Sequence, residues 1–138
     1  MVDFDGVKIA LVLGDELLVI LRDNNPALWS ANMWDFPGGG RENNETPFEC
    51  AAREVYEELG VKLPLDSVLW EKTYPAMQNS QKTAYFMVAN ITNSTISNIS
   101  FGDEGQKWKL IKIDDFFADP TVIEPLKGRF RDYLTTKR

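Results

Sequence analysis

Three glutamates, Glu54, Glu57 and Glu58, stand at i, i+3 and i+4 within residues 38–61, GGGRENNETPFECAAREVYEELGV. On a helix this spacing gathers their carboxylates into one small patch. Like charges so placed oppose helix formation by about 0.2–0.5 kcal/mol per pair, and they lie toward the C-terminal end, where the helix dipole favours cations. Arg53, four residues before Glu57, can neutralise part of the charge. Clustered hard oxygens are also what Mg²⁺ or Mn²⁺ binds. Taken alone, the patch reads equally as a solvated face. The stretch before it, Pro37 followed by Gly38, Gly39 and Gly40, favours a metal–phosphate site, because backbone without side chains can approach a metal or a phosphate closely.

The element that must carry the patch is a helix with its own start and stop signals. Thr46 suits the N-cap, Pro47 the first helical position, and Glu49 completes a Thr-x-x-Glu capping box. Gly60 ends it in a left-handed C-terminal position. Phe48, Ala51, Ala52, Val55 and Leu59 recur at helical spacing and predict an apolar stripe facing a core, roughly 120° from the carboxylates.

Gly39, Glu45, Arg53, Glu54, Val55, Glu57, Glu58, Gly60 and Val61 fit the pattern G-x5-E-x7-R-E-U-x-E-E-x-G-U, with U apolar, without a gap. The stretch resembles a Nudix box. Asn44 stands where many such boxes carry Gly, a substitution that a left-handed backbone tolerates. The resemblance implies a Nudix-type α/β/α sandwich. It also implies Mg²⁺- or Mn²⁺-dependent hydrolysis of a nucleoside diphosphate linked to another moiety. Metal ligands would be Glu54, Glu57, Glu58 and the Gly38 carbonyl, with Arg53 orienting them and Gly39 beside the substrate. Many family members add a downstream loop glutamate as ligand or base. Glu104, flanked by Gly102 and Gly105, is the candidate, so the general base is Glu54 or Glu104. Arg22 is similar to an arginine that contacts substrate phosphate. Asp119 resembles a position that hydrogen-bonds a purine in MutT-type members, with Phe36 supplying backbone contacts opposite. The favoured substrate is a nucleoside triphosphate, including an oxidised one, cleaved to monophosphate and pyrophosphate. The alternatives are ADP-ribose or a nucleotide sugar, near whose branch marker Pro75 lies, and a non-catalytic nucleotide-binding module.

Composition narrows the chemistry independently. The 138 residues suit one domain over 1–138 with a real core. With 21 acidic against 15 basic residues and a net charge of −6, binding to nucleic-acid polymers or anionic membranes is disfavoured, and a small anionic nucleotide would need bound cations. The absence of histidine removes imidazole catalysis and histidine-ligated zinc, leaving carboxylates as bases. Cys50, the single cysteine, cannot form an internal disulfide and suits a reducing cytoplasm. The N-terminal MVDFDG lacks the basic start of a signal peptide, and no apolar run is long enough to span a membrane. Nothing in the sequence specifies an oligomeric state.

Apolar β-branched runs at 7–13 and 17–21, separated by Gly14, Asp15 and Glu16, predict a hairpin. Residues 23–26 read as a loop and 29–36 as a short strand or extended lead-in, with Trp34 expected beneath the glycine loop. Strands are expected at 67–74, 83–91 and 108–113, with a polar loop at 76–82 beside the pocket and a loop at 92–98. Asp114 and Asp115 begin a short helical turn. Val122, Ile123, Leu126, Phe130, Tyr133 and Leu134 form the apolar face of a closing helix. Strands on both sides of a central helix imply a mixed sheet between helices.

Overall fold

The computed structural model describes residues 3–136; Met1, Val2, Lys137 and Arg138 lie outside it, including the first two residues of the acidic N-terminal stretch. Strands β1 (Gly6–Leu13) and β2 (Glu16–Leu21) form the expected hairpin across Gly14, whose φ of 62° fits the turn. Two short strands follow, β3 (Trp34–Asp35) and β4 (Gly38–Gly40), and then helix α1 (Pro47–Leu59). Strands β5 (Val68–Pro75) and β6 (Thr83–Asn90) are antiparallel neighbours. Helix α2 (Asn93–Ser97), strand β7 (Lys107–Lys112) and helices α3 (Ile113–Ala118) and α4 (Glu124–Thr136) complete the chain.

The sheet is mixed: β1 and β6 run parallel, and every other pairing between the named strands is antiparallel. Strand alternation sends side chains to two cores. Val7, Ile9, Leu11, Leu18, Ile20, Tyr85 and Met87 meet the apolar stripe of α1 on one face. Ala10, Leu17, Val19, Phe86 and Val88 meet Phe116, Leu126 and Phe130 of α3 and α4 on the other. The result is the expected α/β/α sandwich.

One edge of β1 serves β6 along its length, while the other is divided. Val12 and Leu13 pair with β2, whereas Gly6, Val7 and Lys8 pair with β4. Strand β2 is divided likewise, pairing with β1 at its start and with β3 at Ile20 and Leu21. The hairpin strands therefore part, and a cleft lies where they do.

Three local expectations change. The glycine triplet is a strand rather than an open loop, because Gly38 at φ 147° lets it lie unusually close to β1: a Cβ there would stand 2.1 Å from the Val7 carbonyl oxygen. Residues 92–98 contain a short helix, held by reciprocal Thr92–Thr95 capping that a polar composition disguises. Trp34 sits in the α3/α4 core, tied by backbone bonds to Thr121 and Ile123, instead of beneath the glycines. No helix among the described residues is long and apolar enough to cross a membrane.

The α1 signals operate as read. Thr46 and Glu49 exchange both capping-box bonds, and Gly60 at φ 68° closes the helix with its N–H on the Tyr56 carbonyl. Gly38→Ala should cost about 2–4 kcal/mol, combining backbone strain with a clash against β1. Gly128→Ala, in α4 with open space around the added Cβ, should instead gain about 0.5–1 kcal/mol. Urea denaturation of the two variants checks the contrast.

Candidate active site

Helix α1 sets the first wall. At about 100° per residue, Glu58 lies nearest the apolar stripe of the three glutamates, and Glu57 lies farthest from it. Glu58 is accordingly the most buried, and its Oε1 accepts the Gly38 N–H at 2.9 Å. Burial pushes its carboxyl up to about 8, against the opposing pull of that N–H and of Lys8. Glu54 is half-buried, and burial raises its carboxyl as well, with Arg53 pulling the other way and the charges of Glu57 and Glu104 adding to the rise. It lies close against β4: a Cβ on Gly39 would stand 2.4 Å from Glu54 Oε2, so a side chain there would displace the Glu54 carboxylate. The Glu57 side chain is 53% exposed.

Arg53 does more than face Glu57. Its Nε donates to Glu45 Oε2 at 2.7 Å and its Nη2 to Glu45 Oε1 at 3.1 Å, a two-pronged contact. Nη2 also donates to the Gly40 carbonyl at 2.7 Å, and Nη1 reaches Glu54 Oε2 and Glu57 Oε1, each at 3.2 Å. One guanidinium thus joins the glycine strand, the loop before α1 and two of the three glutamates. Its bonds hold the Glu45 carboxyl below the usual range.

The opposite wall comes from the ends of β2 and β3 and the loop before β7. Two adjoining depressions, of about 340 and 490 Å³, share Lys8, Arg22, Gly38 and Glu104 as lining. Glu104 is exposed, and its charge contributes to the raised carboxyl of Glu54. Arg22 donates through Nε to the Trp29 carbonyl at 2.9 Å and stands 3.5 Å from Asp35 Oδ2. Lys8 Nζ donates to the same Asp35 oxygen at 2.8 Å. Asp35, 4% exposed, therefore anchors two cations at the cleft. Sequence reading passed over Lys8 and Asp35. A lysine inside an otherwise apolar strand was the available signal, but its partner is 27 residues away.

Two expected substrate contacts have partners within the fold, although Phe36 does line the smaller depression. Phe36 sends its ring into the core, stacked on Phe116 at 5.2 Å, and its N–H is already given to Asp35 Oδ1 at 2.8 Å. Asp119 lines neither depression. Its Oδ1 accepts the Thr121 N–H at 2.8 Å and hydroxyl at 2.6 Å, which hold its carboxyl below the usual range and close the turn after α3. A carboxylate so occupied stabilises its own turn.

The family model for the NUDIX domain matches residues 4–134. The chain belongs to the NUDIX family. It is 33% identical to mouse diphosphoinositol polyphosphate phosphohydrolase 3-alpha over 120 residues, spanning 87% of this chain and 69% of that protein. Among solved structures, the MutT protein from Methanosarcina mazei Go1 superposes with a TM-score of 0.75 at 17% identity, covering 100% of this chain and 99% of that one. A bifunctional NMN adenylyltransferase/ADP ribose pyrophosphatase from Francisella tularensis, complexed with AMP and a manganese ion, gives a TM-score of 0.64 at 20% identity, over 80% of this chain and 34% of that one. Family and relatives make this chain a Nudix hydrolase.

Among the described residues, no three acidic side chains already converge closely enough to hold a metal ion. In this Nudix box Glu54 and Glu57 face Arg53, and Glu58 faces the Gly38 N–H. The donors nonetheless fit a hard divalent cation: all are carboxylate oxygens, and burial disfavours the charge on Glu54 and Glu58, a penalty that a cation beside them removes.

That penalty has a sign in pH. Glu58 titrates near 4.5 when unfolded and near 8 when folded, so the stability tied to its neutral form is complete below about pH 4.5 and is lost as pH rises toward 8. The melting temperature of metal-free protein should therefore fall between pH 5 and 8. Glu58→Gln, which keeps a hydrogen-bond acceptor for Gly38, should flatten much of that fall. Parallel curves for both proteins would mean that Glu58 ionises normally in the fold.

Proposed function

We propose that this Nudix hydrolase cleaves a phosphoric anhydride in a nucleoside diphosphate-linked substrate, with Mg²⁺ as its cofactor and Mn²⁺ able to replace it. The observation that carries the reading is the retention of Glu54, Glu57, Glu58 and Arg53 together on α1 against the glycine strand, with Glu58 and Gly38 lining a cleft that also presents Glu104, Arg22 and Lys8. The metal would be held by the three box glutamates with the Gly38 carbonyl and Glu104. Bound there, it neutralises the pyrophosphate and lowers the pKa of a water.

The chain's own groups supply the rest. Arg22 and Lys8 bind phosphate oxygens, Arg53 keeps the glutamates aligned, and Glu54 or Glu104 takes the proton of the attacking water. We favour a nucleoside triphosphate, oxidised forms included, cleaved to monophosphate and pyrophosphate. The ADP ribose pyrophosphatase fold neighbour supports ADP-ribose as the second reading. A purely binding module fits less well, because every box carboxylate is kept. An acidic chain with one buried thiol suits a cytoplasmic catalyst on small nucleotides.

Activity against a panel of nucleoside triphosphates, oxidised triphosphates and ADP-ribose should vanish in excess EDTA and return with Mg²⁺ or Mn²⁺; full turnover in chelator would overturn the metal reading. Glu57→Gln should lower kcat by about a hundredfold or more while leaving the melting temperature near wild type, since the side chain is half in solvent. Glu104→Gln separates the two bases. A large fall in kcat with a displaced pH–rate profile identifies Glu104, and a mild fall identifies Glu54.

A further inference from the structure

Helix α4 buries a cation that has no ion-pair partner among the described residues. Arg129 is 5% exposed. Its Nη2 donates to the Pro75 carbonyl at 2.8 Å, and its Cζ stands 4.9 Å from the centre of the Tyr74 ring. Its Nη1 is buried without a hydrogen-bond partner. Nearby carboxylates are engaged elsewhere: Asp132 accepts the Tyr74 hydroxyl, and Asp35 holds Lys8 and Arg22. Among the described residues, no ion pair includes Arg129. An unpaired buried guanidinium is costly, and a methionine would fill similar space without that cost. Packing alone does not explain it.

Its position does. Arg129 lines the larger depression, between the glycine strand and segment 76–82, together with Lys8, Arg22 and Lys82. The two adjoining depressions therefore differ in charge: Glu58 of the box lines the smaller, while Lys82 and Arg129 join Lys8 and Arg22 in the larger. We propose that Arg129 is the buried half of a second anion subsite, which takes a phosphate of the substrate remote from the anhydride being cleaved. A planar guanidinium matches an oxyanion by geometry and charge together, whereas a neutral base edge would satisfy its donors and leave the charge unanswered. Segment 76–82 borders this depression beside Arg129, and an outward shift of it would open the way to Nη1. Residues 78–82 are exposed, and their hydrogen bonds are made within the segment, from Ala76 N–H to the Lys82 carbonyl, from Lys82 N–H to the Asn79 carbonyl and from Gln81 N–H to Asn79 Oδ1.

The assignment rests on the hydrolase reading only for the identity of the anion's carrier, so the test begins without metal. Calorimetry in EDTA measures inorganic tripolyphosphate binding to wild type, Arg129→Met and Arg129→Lys. Arg129→Met should bind about tenfold or more weakly while melting at or above the wild-type temperature, because a buried charge has gone. Arg129→Lys, which keeps the charge and loses the fork, should fall between them. Wild-type affinity in Arg129→Met, or a lower melting temperature with unchanged affinity, overturns the subsite in favour of a structural cation. Should Arg129→Met fail to fold, unchanged affinity in a folded Arg129→Lys overturns it equally. Orthophosphate that binds at Arg129 without competing with a non-hydrolysable nucleoside triphosphate would assign the site to free phosphate and sink the proposal. Tripolyphosphate bound through Arg129 by a chain that hydrolyses no nucleotide would leave the subsite standing and remove the hydrolase reading.

Discussion

The site depends on one guanidinium. Arg53 binds a main-chain carbonyl of β4, both oxygens of Glu45 and the carboxylates of Glu54 and Glu57. Without that charge, α1 would present a run of glutamates repelling one another against a glycine strand that offers no side chain to hold them. Its worth is more than one surface ion pair, because several partners share a partly buried donor with little freedom left. The same contacts fix the distance between helix and strand, and with it the direction in which Glu54 projects.

The divided pairing of β1 and β2 provides the other half of the architecture. A sheet paired continuously would leave no room between the hairpin strands. Because β4 takes one part of β1 and β3 takes one part of β2, the strand ends open toward the box. Lys8, Arg22 and Asp35 gather there, and Glu58 of α1 lines the same depression. Opposite charges thus share one depression within a frame of backbone hydrogen bonds.

Much of this was legible because the signals were local. The α1 caps, its stripe and the Gly14 turn depend on neighbours within a few residues, and the strands and final helix announce themselves by periodicity. The box glutamates and Arg53 were legible as a pattern, although the contacts of Arg53 to Gly40 and Glu45 follow from the fold. The parallel pairing of β1 with β6, the burial of Asp35 and the isolation of Arg129 join distant residues, and no periodicity encodes them. Trp34 was misplaced for the same reason: it is positioned by the chain between α3 and α4. The short α2 helix is different, since its Thr92 and Thr95 signal was local and was hidden by polar composition.

The only thiol in the chain lies directly behind this machinery. Cys50 is fully buried, its Sγ is 3.7 Å from the Gly40 carbonyl oxygen and 3.9 Å from that of Gly39, and burial pushes it up to about 12. Almost no thiolate exists at neutral pH, so oxidants and alkylating reagents find nothing to attack while α1 stays on β4. Labelling of Cys50 therefore reports how often α1 comes away from β4, and its rate equals the opening rate only when the reagent outpaces reclosing.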